Sequence, residues 1–277
     1  MVIEKVINNN IISAHDETGG EVVVMGRGIG YARRPGQDVD ETRVEKVFHI
    51  KSRTVAEQFK ELLAHMPLEH VQISNDIISY AKKNLKLKLN QSIYVTLTDH
   101  INFTIERYNQ GIKPQNALLW DIKRFYNQEY QLGRYALKIM KERLHLELPD
   151  DEAGFIALHI VNAEYGTKLG DALKFPNLLK DIMSIVSKEL GIELDEESLH
   201  YERFVTHVKF LVQRIYRQEL LGNEDELAEM MEKKYQKEYS CSKKIADYIE
   251  KETGTRISKE EIAYLAIHIK RVTIIEK

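Results

Sequence analysis

Asp151-Glu152-Ala153-Gly154-Phe155-Ile156-Ala157-Leu158-His159-Ile160 returns 109 positions later as Glu260-Glu261-Ile262-Ala263-Tyr264-Leu265-Ala266-Ile267-His268-Ile269. The same offset carries Phe125-Tyr126-Asn127-Gln128-Glu129-Tyr130 onto Lys234-Tyr235-Gln236-Lys237-Glu238-Tyr239. Upstream, Thr98-Asp99-His100-Ile101-Asn102-Phe103 matches Val205-Thr206-His207-Val208-Lys209-Phe210 at an offset of 107, so a two-residue length change separates the blocks. Units of more than 100 residues are duplicated domains rather than solenoid repeats. From Thr54 onward apolar residues recur at helical spacing, as in Val55, Phe59, Leu62, Leu63 and Met66, so both copies are read as all-α.

The chain before Thr54 has another texture. Val2, Val6, Ile7, Ile11, Ile12, Val22, Val23, Val24, Val44, Val47 and Phe48 are mostly β-branched and arrive in short runs. Asn8-Asn9-Asn10, Asp16 to Gly20 and Gly26 to Gly36 separate them with turn-forming residues, which predicts four short antiparallel strands. So small a sheet buries little surface, and must pair with a second copy or lean on the remainder of the chain. The fold class is therefore α+β and multidomain: a small antiparallel β domain at 1–53 and two duplicated helical bundles at 54–170 and 171–277.

Composition narrows the function. The formal net charge is −3, so bulk electrostatic binding to nucleic acid is not advertised, although Arg27, Arg33 and Arg34 concentrate positive charge in one loop. The single cysteine, Cys241, rules out an intramolecular disulfide framework and a CxxC zinc site. No apolar run reaches about 18 residues. Met1-Val2-Ile3-Glu4-Lys5-Val6 alternates and meets polar Asn8 too early for a signal peptide, so a cytoplasmic protein is expected.

Each helical copy holds one histidine in its early repeat block and one in its late block: His100 and His159, then His207 and His268. A lone histidine on an apolar helix is commonly a packing residue; four at equivalent positions ask for more. HxxxH and HExxH spacings are absent, which argues against a metal site, and no GxSxG supplies a serine nucleophile. A neutral imidazole can instead accept a phosphoryl group, a change from near-neutral to dianionic that suits a switch. Glu152 and Glu261 each precede a histidine by seven residues on one helix face, about 10 Å along the axis. That is too far for a direct hydrogen bond, and capping and the helix dipole explain a carboxylate at a helix start equally well.

In the first module, Met25-Gly26-Arg27-Gly28-Ile29-Gly30-Tyr31 combines close-approach glycines, an arginine for phosphate or base edges, and a ring able to stack on an unpaired base. Asn8, Asn9 and Asn10 add amides that both donate and accept. These suit distorted RNA; they are equally ordinary turn residues. Two other classes remain open from the residues alone: a metal- or phosphate-handling helical enzyme with an accessory β domain, and a DNA-binding regulator with similar switch domains.

Lys5-Val6-Ile7-Asn8-Asn9-Asn10, Val24-Met25-Gly26-Arg27-Gly28, the four placed histidines and Phe155-Ile156-Ala157-Leu158-His159-Ile160 resemble the transcriptional antiterminators of the LicT/BglG/SacY type, over essentially the whole chain. The resemblance implies a co-antiterminator RNA-binding domain followed by two regulation domains of the sugar phosphotransferase system. It implies that a homodimer clamps a leader-mRNA hairpin, prevents terminator formation and activates a sugar operon, with β-glucosides suggested. RNA contacts are implied at Lys5, Asn8, Asn10, Gly26, Arg27 and Tyr31, and phosphorylation at His100, His159, His207 and His268. Implied phosphate donors are the sugar transporter's B component, inhibiting through the first regulation domain, and the phosphocarrier HPr, activating through the second. Lys209, Arg214, Lys270 and Arg271 are nearby cations in the second copy. No enzymatic activity, cofactor, metal or membrane insertion is expected.

Overall fold

A computed structural model describes residues 1–167, 170, 173–220, 222 and 225–273. The expected domain boundary at 170/171 and the end of the second bundle at 277 fall on or beside residues outside that set. The β-branched runs form four strands, β1 (Val2–Asn8), β2 (Ile11–His15), β3 (Glu21–Met25) and β4 (Lys46–Phe48), in one antiparallel meander of order β1-β2-β3-β4. Strand residues alternate between faces, and β2 is buried on both. Ile12 and Ala14 join Ile3, Val22, Val24, Ile29 and Val39 on one side. Ile11 joins Val23, Met25 and Phe48 on the other.

Chain 26–45 covers the first face and laces to β1, where Ile3 N–H donates to Gln37 O at 2.8 Å and Gly36 N–H to Ile3 O at 2.8 Å. Helix α1 (Arg53–Ala64), capped by Ser52, covers the second with Ala56, Phe59 and Leu63. Phe48 meets Phe59 edge-on at 5.2 Å and Tyr94 at 5.3 Å, arrangements favoured by the ring quadrupole. Lys60 of α1 pairs with Glu21 of β3. The sheet thus obtains in cis the burial it lacks by itself.

Helices α2 (Leu68–Asn84) and α3 (Ile93–Asn109) follow, then α4 (Leu119–Phe125), α5 (Asn127–Leu144) and α6 (Asp150–Tyr165). Ile73, Ile77, Leu97, Ile101, Leu132, Ala136, Ile156 and Ile160 form the core of α2, α3, α5 and α6. Gly133 permits the tightest approach, since a Cβ there would lie 2.1 Å from Ala153 O. Five more helices complete the described residues: α7 (Phe175–Leu190), α8 (Leu199–Arg217), α9 (Asp225–Lys234), α10 (Gln236–Thr253) and α11 (Lys259–Val272). In α10 the position of Gly133 is taken by Ser242, fully buried, whose hydroxyl donates to Glu238 O at 2.9 Å.

The chain divides into two compact units, one of Met1–Ala117 with Gln128–Glu164 and one of Leu118–Asn127 with Tyr165 onward. Helix α4 therefore belongs to the second unit. Ile122 and Phe125 are its buried face, and Arg124 pairs with Glu196 and donates to the Tyr201 hydroxyl.

Candidate functional sites

In the first unit, α3 and α6 cross antiparallel and bring the first histidine pair together: the His100 and His159 rings lie 4.6 Å apart. In the second, α8 and α11 do the same for His207 and His268, at 4.3 Å with the rings stacked. Residues separated by 59 and 61 positions thus meet as two pairs of like geometry. His159 is buried, and desolvation, with the neighbouring His100, pushes its pKa down to about 3. Desolvation, His268 and Arg214 push His207 down to about 3 as well, and His268 is lowered by desolvation and Arg271. His159 Nδ1 and His207 Nε2 are buried without a hydrogen-bond partner. The buried rings are held neutral, the state in which imidazole is a nucleophile.

The structure corrects the reading of the two glutamates. Glu152 and Glu261 are buried to 1% and 0% exposure, and the partner of each lies on the facing helix. Arg107 Nη2 donates to Glu152 Oε1 at 2.7 Å, and His100 Nε2 lies 3.4 Å from Glu152 Oε2. Thr104 Oγ1 donates to that same Oε2 at 3.0 Å. In the second unit, Arg214 grips Glu261 with two parallel hydrogen bonds of 2.7 Å from Nε and Nη2, the strong bidentate form of this pair. Arg107 and Arg214 occupy equivalent repeat positions, so each module holds a histidine pair and an Arg–Glu pair in one register. Reading spacing along a single helix missed this, because the register of an antiparallel pair sets the partners; the equivalence of Arg107 and Arg214 at the offset of 107 was the available signal. Of the other cations in the second copy, Lys270 pairs with Glu238 at 3.2 Å and Lys209 lies over the Tyr126 ring at 4.6 Å.

At the β1–β2 end of the sheet Asn8 and Asn10 meet the Gly26–Tyr31 loop. Asn10 N–H donates to Asn8 Oδ1 at 2.8 Å, Asn10 Oδ1 accepts from Gly28 N–H at 2.9 Å, and Gly26 N–H donates to Asn10 O at 3.0 Å. The asparagine turn therefore holds the Gly26–Tyr31 loop against itself. Gly26 admits no side chain, since a Cβ would stand 1.8 Å from Arg43 O. Arg27 and Tyr31 project outward, the tyrosine 66% exposed. Lys5 is exposed three residues back along β1, about 10 Å from the turn. Asn8 Nδ2 donates to Leu63 O at the end of α1, at 2.8 Å. Arg33, counted as part of the basic loop, pairs with Asp40 at 3.3 Å. Arg43, absent from that count, fastens the loop by donating to Gly28 O at 2.9 Å.

Among the described residues no three His, Cys, Asp or Glu side chains are placed to hold a metal ion, and no helix is long and apolar enough to cross a membrane. Cys241 is buried, and desolvation pushes its thiol up to about 11, far from a reactive thiolate.

The architecture is a small sheet with an arginine- and glycine-rich loop, joined to two helical modules with paired histidines. Residues 1–57 match the CAT RNA binding domain, and residues 75–163 and 180–272 each match the PRD domain. The chain belongs to the family of transcription antiterminators that join these domains. It is 49% identical to the transcription antiterminator LicT of Bacillus subtilis (strain 168), over 98% of this chain and 99% of that protein. It is 41% identical to the beta-glucoside operon antiterminator of Dickeya chrysanthemi, over 98% of this chain and 96% of that one. The crystal structure of GlcT CAT-PRDI matches with a TM-score of 0.52 and 36% identity, covering 59% of this chain and 97% of that one.

Proposed function

We propose that this chain, as a homodimer, clamps an imperfect leader-mRNA hairpin through Lys5, Asn8, Asn10, Gly26, Arg27 and Tyr31, keeps the overlapping terminator from forming, and activates a β-glucoside utilisation operon. His100, His159, His207 and His268 are the phosphoacceptors. The sugar transporter's phosphorylated B component inhibits through the first pair, and phosphorylated HPr activates through the second. The chain acts by binding rather than by turnover, in the cytoplasm. The observation that carries this reading is the repetition of one arrangement: two facing imidazoles beside an Arg–Glu pair, built twice from one repeat.

The RNA half is tested by gel shift of the full-length protein with a hairpin that overlaps a terminator, in competition with duplex DNA. Arg27→Ala should weaken binding by about 5-fold to 150-fold, the cost of one lost contact of about 1–3 kcal/mol. Full affinity in that variant, or equal competition by duplex DNA, contradicts the assigned surface.

A further inference from the structure

In the first module a buried carboxylate stands against the face of a histidine ring where a phosphoryl group would go. Glu152 bridges His100 and Arg107, with Oε2 3.4 Å from the imidazole Nε2 and Oε1 2.7 Å from the guanidinium. Thr104 Oγ1 lies 3.4 Å from both His100 Nε2 and Arg107 Nη2, so ring and guanidinium flank one small space. Arg107 Nε is buried without a partner, a dry donor with nothing to bind in the unmodified state. Arg214, at the equivalent position, is likewise held by Glu261 and lies seven residues, about two turns, after His207 on the same face of α8.

We propose that Arg107 and Arg214 are the phosphate-receiving residues of the two regulation domains, each latched by a buried carboxylate, Glu152 or Glu261, that a phosphoryl group on the neighbouring histidine displaces. This rests on the reading of the histidines as phosphoacceptors. With a phosphohistidine protein as donor, the lone pair of the neutral acceptor ring forms the new N–P bond while the donor's N–P bond breaks and leaves its electron pair on the donor nitrogen. The acceptor ring releases its other N–H proton, and the donor ring takes one up. The dianion then competes for the arginine with a monoanionic carboxylate, and two anions cannot share a dry site. The freed carboxylate has to reach water, and because Glu152 and Glu261 sit in the first turns of α6 and α11, those helix ends must move. A local phosphoryl transfer thereby becomes a change in helix packing.

The test uses full-length protein and ³¹P NMR in alkaline buffer, with the sugar transporter's phosphorylated B component as donor for the first module and phosphohistidine-loaded HPr as donor for the second. Arg107→Met/Glu152→Leu and Arg214→Met/Glu261→Leu remove each ion pair without stranding a buried charge, and Arg107→Lys and Arg214→Lys serve where a double variant does not fold. The wild-type label should survive acid hydrolysis about tenfold longer than that of the double variants, as a charge-assisted contact to the phosphoryl group requires. Its ³¹P resonance should move between the two, with the lysine variants intermediate. A folded double variant that takes no label also supports the assignment. Equal lifetimes and unchanged resonances in labelled double or lysine variants overturn the latch while leaving phosphorylation standing. A wild type that takes no label on histidine overturns both.

Discussion

The two helical modules repeat one constellation in one antiparallel register and surround it differently. In the first, Arg107 gives Glu152 a single short hydrogen bond, and Thr104 ties carboxylate, arginine and His100 into one network. In the second, Leu211 stands at the Thr104 position and Arg214 holds Glu261 with a two-bond fork. The sealed ring nitrogen also changes side: in the first module it is on the late histidine, His159, which is buried as a whole, whereas in the second, where both rings are half-buried, it is Nε2 of the early one, His207. Duplication therefore preserved the parts and changed how deeply the rings are set, with His100 largely covered at 10% side-chain exposure and both rings of the second module half-buried.

The largest contrast concerns the arginines. Arg214→Ala removes both short hydrogen bonds that the guanidinium gives the buried Glu261 carboxylate, a loss of about 3–5 kcal/mol. Arg107→Ala should cost less, because Thr104 and His100 still face Glu152. Urea unfolding of both variants measures the difference, and an equal loss, or a larger one for Arg107→Ala, breaks the comparison.

Acid sharpens it next. His159 and His207 have folded pKa values near 3, below the ordinary value near 6.5. The unfolded chain therefore takes up protons first as pH falls, and the stability held above about pH 6.5 is lost progressively toward pH 3. Each buried ring should contribute a slope of about 1.4 kcal/mol per pH unit within that window. Between pH 6.5 and 5, above the carboxylate range, His159→Gln and His207→Gln should each flatten the fall. Unchanged slopes would show that these rings are not held neutral. The smallest effect is that of Thr104→Leu, which makes the first module resemble the second; it should cost about 1 kcal/mol, the worth of the lost hydroxyl contacts, and more if Glu152 is left short of a partner. A stabilised Thr104→Leu protein would mean that the hydroxyl adds nothing to the latch.

What was legible in the sequence was whatever repeats or alternates. The offsets of 109 and 107 exposed the histidine pairs because identity at a fixed spacing survives in one dimension. β-branched runs between asparagine and glycine turns predicted the strands, and the sheet's need for cover was clear from its size. Which neighbour would cover it was not: the stripe Val55, Phe59, Leu62, Leu63, Met66 predicts an amphipathic helix without saying whose apolar face it meets. Glu152 and Glu261 were misjudged for the same reason, since distance along one helix says nothing of the side chains opposite. The grouping of α4 with the second unit, where Arg124 meets Glu196 and Tyr201 across more than seventy residues, has no local signature.

The most direct measurement is to incubate the full-length protein with phosphohistidine-loaded HPr, hold it in alkaline buffer where phosphohistidine survives, and map the label by mass spectrometry. The account predicts label at His207 and His268. Label confined to serine or tyrosine, or to histidines outside the two facing pairs, would contradict it.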